Sequence, residues 1–112
     1  MTILDRRSGD DRRSNARRNV TIDVEWESDG GRDTGTVSDL SEAGCFVLCS
    51  GAVNQGDTVK LLLPLGDGMK VEVLGEVRNY VLEIGFALRF VEPTEAQNDV
   101  IAGLMAKYGE NA

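Results

Sequence analysis

Much of this chain alternates apolar and polar residues with a period of two, and that pattern confines it to a small set of β-architectures. Val20, Ile22, Val24 and Trp26 interleave with Thr21, Asp23, Glu25 and Glu27, the pattern of a strand that buries one face. SDGGRD then turns the chain, and Thr34–Ser38 returns as a second strand. Cys45–Leu48 is short and apolar enough for a third. After a turn around Asn54–Asp57, the fourth run, Thr58–Leu65, sets Val59, Leu61, Leu63 and Leu65 on one face. Gly66-Asp67-Gly68 is a hairpin signal. Beyond it, Met69, Val71, Val73 and Val77 alternate with Lys70, Glu72, Glu76 and Arg78, and Ile84, Phe86, Leu88 and Phe90 make the last run. Six strands joined by short turns favour an all-β fold, a closed six-stranded antiparallel β-barrel, because closure removes the unpaired edges a small sheet would expose.

The period changes near the end of the chain. Thr94 followed by Gln97 fits a capping box, and Val100, Ile101, Leu104, Met105 and Tyr108 recur at helical spacing. A C-terminal α-helix is expected, stopped at Gly109. Its apolar stripe would pack on the barrel or cover one of its mouths.

At 112 residues the chain holds one core and not two. No apolar run approaches the roughly 20 residues that span a bilayer, so no membrane insertion is expected. The beginning, MTILDRRSGDD, lacks an apolar stretch of signal-peptide length. The expected location is therefore cytoplasmic. Charge is spread unevenly: Met1 to Arg18 carries +3 and the remainder −10, within a total of −7. An acidic body of this kind repels nucleic-acid backbones, so DNA and RNA are poor candidates as partners. The stretch DRRSNARR, Asp11–Arg18, concentrates four arginines in eight residues and reads as a local clamp for a small anion.

Catalytic chemistry has little to work with. There is no histidine, the commonest general base. Cys45 and Cys49, if both lie along an extended strand, are about 13 Å apart at ~3.3 Å per residue, too far for a disulfide, and they are expected as buried thiols. A zinc site would have to be completed by carboxylates, and Asp39 with Ser41 has no evident base or nucleophile beside it. No enzyme activity, metal or cofactor is expected.

The loop between the second and third runs, SDLSEAGC, presents Asp39, Ser41 and Gly44 in the order Asp-x-Ser-x-x-Gly. Alone, these are ordinary turn formers. Upstream, Arg13-Ser-Asn-Ala-Arg17 supplies Arg-x-x-x-Arg. Together the two elements resemble the signature pair of PilZ domains, in the same order and at a similar separation. The likeness extends to GEVRNYVLEIGFALRF, Gly75–Phe90, which looks like the family's last two strands, and to the closing helix. It runs from about Arg12, which divides the chain into a flexible extension over residues 1–11 and a PilZ domain over residues 12–112.

PilZ domains are bacterial six-stranded barrels that bind the second messenger cyclic di-GMP, and the resemblance implies that ligand here. Its two phosphodiesters and two guanines call for planar cationic forks and a carboxylate, and arginine grips phosphate or the guanine O6/N7 edge in bidentate fashion. By the resemblance, Arg13 and Arg17 contact bases and phosphates, Asp39 accepts from guanine N1–H and N2–H, and Ser41 adds a polar contact. Gly44 lets the loop turn tightly against the nucleotide. Arg12 and Arg18 adjoin the motif, either to hold a second phosphate or, for a doubly stacked ligand, a second molecule, or as solvated charge. Relatives place a base-stacking residue late in the fifth strand, where this chain has Arg78, Asn79 and Tyr80. A receptor of this kind, a monomer or weak dimer, signals to a downstream protein by a ligand-dependent change of surface. The alternative within the family is an interaction module that binds no nucleotide, but such members usually lack the arginine element.

Overall fold

The computed structural model describes residues 17–109. Six strands appear in chain order: β1 (Arg18–Ser28), β2 (Gly31–Leu40), β3 (Gly44–Leu48), β4 (Thr58–Gly66), β5 (Met69–Val81) and β6 (Gly85–Phe90). One helix, α1 (Glu95–Tyr108), follows them. Every neighbouring pair is antiparallel, and the strands close into a barrel in the order β1-β2-β3-β6-β5-β4. Closure is made by a short ladder, Glu25–Glu27 of β1 against Lys60–Leu62 of β4.

The alternation seen in the sequence becomes the inside and outside of this barrel. Val20, Ile22, Val24 and Trp26 of β1 face Val37, Val47, Val59, Leu61, Leu63, Val73, Val77, Phe86 and Leu88 across one continuous core. Trp26, 2% exposed, meets Phe86 edge to face with centroids 5.1 Å apart, a favoured aromatic geometry. Its indole N–H donates to the Thr34 carbonyl at 3.3 Å, so the one polar atom of this side chain is not left unpaired. The β4–β5 hairpin turns at Asp67 (φ 55°) and Gly68 (φ 79°). Positive φ at both central residues is what a tight hairpin turn needs, and Asp and Gly tolerate it.

The ends of the runs depart from simple alternation. β2 is longer than Thr34–Ser38 because pairing continues outward to Ser28–Gly31 at one end and to Arg18–Leu40 at the other. Leu65, Met69 and Ile84, which the alternation assigns to buried faces, are exposed. They sit at hairpin ends, where no opposing wall remains to cover them.

The helix starts as its capping box dictates: the Gln97 amide donates to Thr94 Oγ1 at 3.1 Å and the Thr94 amide to Gln97 Oε1 at 2.7 Å. Gln97 Nε2 also donates to the Glu72 carbonyl at 2.7 Å, which pins this end to β5. Ile101 and Leu104 are buried in the barrel core, so the apolar stripe packs inward. At the other end the Gly109 amide donates to the Met105 carbonyl at 2.9 Å, with φ −71°. Glycine is therefore not required here for a left-handed turn. Space requires it: a Cβ at this position would lie 2.3 Å from the Met105 carbonyl oxygen and 2.6 Å from Cδ of Arg18.

Candidate functional site

The site grows from the β2–β3 connection. Leu40, fully buried, anchors one side of it. Ser41, only 1% exposed, organises the rest: its amide donates to the Gly44 carbonyl at 2.8 Å and its hydroxyl donates to the same oxygen at 3.2 Å. That hydroxyl accepts from the amides of Ala43 and Gly44, both at 3.2 Å. Phe90 of β6 donates its amide to the Ala43 carbonyl at 2.9 Å. These backbone groups of Ser41, Ala43 and Gly44 are thus satisfied within the fold, and the loop's shape is built in advance.

Two of the expected site residues have a part in the fold itself. Ser41 is buried and turns its hydroxyl into the loop, where it donates once and accepts twice, and so shapes the site. Gly44 has no positive φ; it is glycine because a Cβ there would stand 2.1 Å from the Leu88 carbonyl oxygen. Its lack of a side chain allows β3 and β6 to approach, which a tight turn would not have required.

The start of β1 meets this loop. Arg18 pairs with Leu40 and Asn19 with Asp39, which carries Arg17 over the outer face of β2. Arg17 Nη1 donates to Asp39 Oδ1 at 2.7 Å. With side-chain exposures of 58% and 29%, this pair lies in a regime where ion pairs contribute about 0–1 kcal/mol, so it is easily opened. Arg18 runs the other way, its stem against Gly109 at the end of α1. Arg12 and Arg13 lie outside the described residues, as does the expected extension over residues 1–11.

Around the barrel from Asp39, the outward-facing partners are Phe46 on β3, Ala87 on β6 and Asn79 on β5, with Asn19 on the other side. Register shifts between Asn19 and Ile22, between Val37 and Asp39, and between Val77 and Asn79 all adjoin this row. Bulges re-aim side chains and interrupt alternation: Ser38 and Arg78 are the extra residues on β2 and β5. Asn79 thereby ends the row that starts at Asp39, three strand steps or roughly 14 Å away at ~4.8 Å per step, with Arg78 as the extra residue beside it.

Below the loop, Cys45 is buried, and burial first, then the Asp39 carboxylate, pushes its thiol well above the ordinary range, against the smaller opposing pull of Arg17. Cys49, half-buried just past β3, is shifted up chiefly by burial. Both are free thiols. No group of three or more His, Cys, Asp or Glu side chains gathers to hold a metal among the described residues, and no helix among them is long and apolar enough to cross a membrane. A surface cleft of about 480 Å³ opens elsewhere, between Asp23 and Glu25 on β1 and Leu62 and Lys70 on β4 and β5. Its two carboxylates make it hostile to an anion, and Lys70 is already paired with Glu25.

A family model described as PilZ domain matches residues 11–107. The chain belongs to the PilZ family. This is a family of cyclic di-GMP receptors. The PilZ domain of CeSA from a cellulose-synthesizing bacterium superposes with a TM-score of 0.65 at 22% identity, covering 81% of this chain and 95% of that one. The PilZ domain of YcgR from Escherichia coli, solved with c-di-GMP, gives 0.64 at 12% identity, covering 81% and 89%. The Bacillus subtilis inhibitor of motility MotI/DgrA gives 0.66 at 15% identity; the match covers 81% of this chain and 48% of that protein. At these identities the likeness is one of fold. No curated protein sequence matches the chain.

Within this PilZ domain, the structure brings Arg17, Asp39, Ser41 and Gly44 together, with Asn79 at the far end of the outward-facing row that starts at Asp39 and Arg78 next to it. It also adds residues that the sequence did not single out. Phe46 is a half-buried aromatic on the outer face beside Asp39, and Arg89 lies opposite Gly44. The alternation of β3 and β6 would have put both side chains outside the barrel; the ladder between those strands was needed to put them beside the loop.

Proposed function

We propose that this PilZ domain is a cyclic di-GMP receptor whose site is the rim formed by the start of β1 and the β2–β3 loop. The observation that carries this reading is the meeting of Arg17 with Asp39 over a loop whose backbone Ser41 and Gly44 have already fixed. An arginine fork and a carboxylate, side by side and partly exposed, are complementary to a guanine: the guanidinium to O6 and N7, the carboxylate to N1–H and N2–H. Opening the weak Arg17–Asp39 pair frees both groups for these contacts. Arg13, one arm of Arg-x-x-x-Arg, and Arg12 add positive charge for the phosphodiesters. Ser41 and Gly44 act by holding the loop, while Arg18, lying between Arg17 and the end of α1, links the rim to the helix.

The chain acts as a binding domain over residues 12–112, in the cytoplasm, as a monomer or weak dimer. Its output is a ligand-dependent surface read by another protein. Calorimetric titration with cyclic di-GMP and with cyclic di-AMP tests the site. Adenine offers no paired N1–H and N2–H donors, so cyclic di-AMP is expected to bind at least about tenfold more weakly. Equal binding of the two would remove Asp39 from its role, and no heat with cyclic di-GMP would overturn the receptor reading.

A further inference from the structure

The row of outward-facing positions next to Asp39 and Phe46 runs through Gly44 on β3, Arg89 on β6 and Glu76 on β5. Gly44 contributes no side chain, so bare backbone separates the Asp39 loop from Arg89. Neighbouring strands are about 4.8 Å apart, and an extended arginine spans more than that. Arg89 Nη2 lies 3.3 Å from Glu76 Oε1, and Arg78 Nη1 lies 3.4 Å from the same oxygen. One carboxylate thus serves two guanidinium groups. The cluster keeps a net positive charge on a body that carries −10 from residue 19 onward. Its side chains are well exposed, at 55% for Arg89 and 37% for Glu76, and an exposed ion pair gives up its partner easily.

Resting on the receptor reading above, we infer that Arg89 is a second anion-binding arginine of the site, parked on Glu76 until a phosphodiester of cyclic di-GMP settles over Gly44 and draws it across. A phosphodiester oxygen presents Arg89 with the same charge-assisted acceptor as Glu76, without sharing it with Arg78. Phe46 and Ala87, in the neighbouring row of the same two strands, are apolar and compete for neither group. Glu76 is thereby an internal competitor: it lowers affinity by holding Arg89 back.

Calorimetric titration of cyclic di-GMP into the wild-type chain and into Arg89→Ala, Arg89→Lys and Glu76→Gln tests this, with a thermal melt of each ligand-free variant to show that it is folded. Arg89→Ala is expected to bind roughly tenfold more weakly, the scale on which one bidentate arginine contact acts. Arg89→Lys recovers part of that loss, since the charge remains but the fork does not. Glu76→Gln binds tighter than wild type by about two- to threefold, as expected for removal of one exposed competing charge. Wild-type affinity in Arg89→Ala, with the wild-type chain binding normally, overturns the inference and leaves the receptor reading standing. So does a loss in Glu76→Gln as large as that in Arg89→Ala, because the intact pair would then be what the site needs. Failure of the wild-type chain to bind removes both readings.

Discussion

The β4–β5 hairpin with α1 and the β1–β2–β3–β6 quadrant are built from the same strand chemistry but are fixed by different forces. On β4, Val59, Leu61 and Leu63 are fully buried at alternate positions, the turn is set by Asp67 and Gly68, and α1 is capped by its own side chains. Apolar burial at ~25 cal/mol per Å² dominates there. In the quadrant that carries the site, two register shifts interrupt alternation and a third borders it on β5, a buried serine satisfies the loop, and a glycine is dictated by a carbonyl on another strand. Hydrogen-bond satisfaction and close approach decide its shape. The hairpin and helix therefore behave as scaffold, and the rim is where sequence can change recognition with little change of fold.

The sharpest way to break this division is in the scaffold. Leu61→Ala removes a fully buried side chain between β1 and β5 and is expected to cost about 2–5 kcal/mol of stability, measured by urea denaturation. Affinity for cyclic di-GMP, titrated well below the melting temperature, should stay within about twofold of wild type, a shift of under ~0.5 kcal/mol. A large affinity loss in the folded variant would mean that the two regions are energetically coupled.

Ser41→Ala is the next largest. It strips the acceptor from the Ala43 and Gly44 amides in a buried setting, and about 1–3 kcal/mol of stability should be lost, with affinity falling alongside it. If affinity fell and stability did not, Ser41 would be a ligand contact after all, and the loop would owe its shape to something else.

Arg17→Ala inverts the pattern. Its ion pair with Asp39 is exposed, so stability should change by no more than about 1 kcal/mol. Affinity should fall tenfold to a hundredfold, on the order of 1–3 kcal/mol. An appreciable drop in ligand-free melting temperature would place Arg17 among the structural residues.

The same division explains what the sequence made legible. Val20–Trp26 and Val59–Leu63 announce their faces because burial on one side imposes a period of two. Gly66-Asp67-Gly68 and Thr94–Gln97 announce a turn and a cap because those motifs close over a few residues. Arg17, Asp39, Ser41 and Gly44 were recognisable as a constellation, but what Ser41 and Gly44 do was not. The clash that demands glycine at position 44 comes from Leu88, and the loop that buries Ser41 is tied to β6 by the Phe90 amide on the Ala43 carbonyl. The extra residues Ser38 and Arg78 obscured which side chains share a row. Arg89 and Glu76, though only thirteen positions apart, become neighbours through the bulged β5–β6 ladder, and their relation to Gly44 crosses to a third strand.

Chemical-shift mapping of backbone amides during a cyclic di-GMP titration tests the central claim most directly. Shifts are predicted at residues 17–19, through residues 39–46 and at 87–89, with 59–63 and the middle of α1 unmoved. Perturbations concentrated on β4, β5 and α1 with the Asp39–Gly44 loop silent, or no perturbation at saturating ligand, would contradict it.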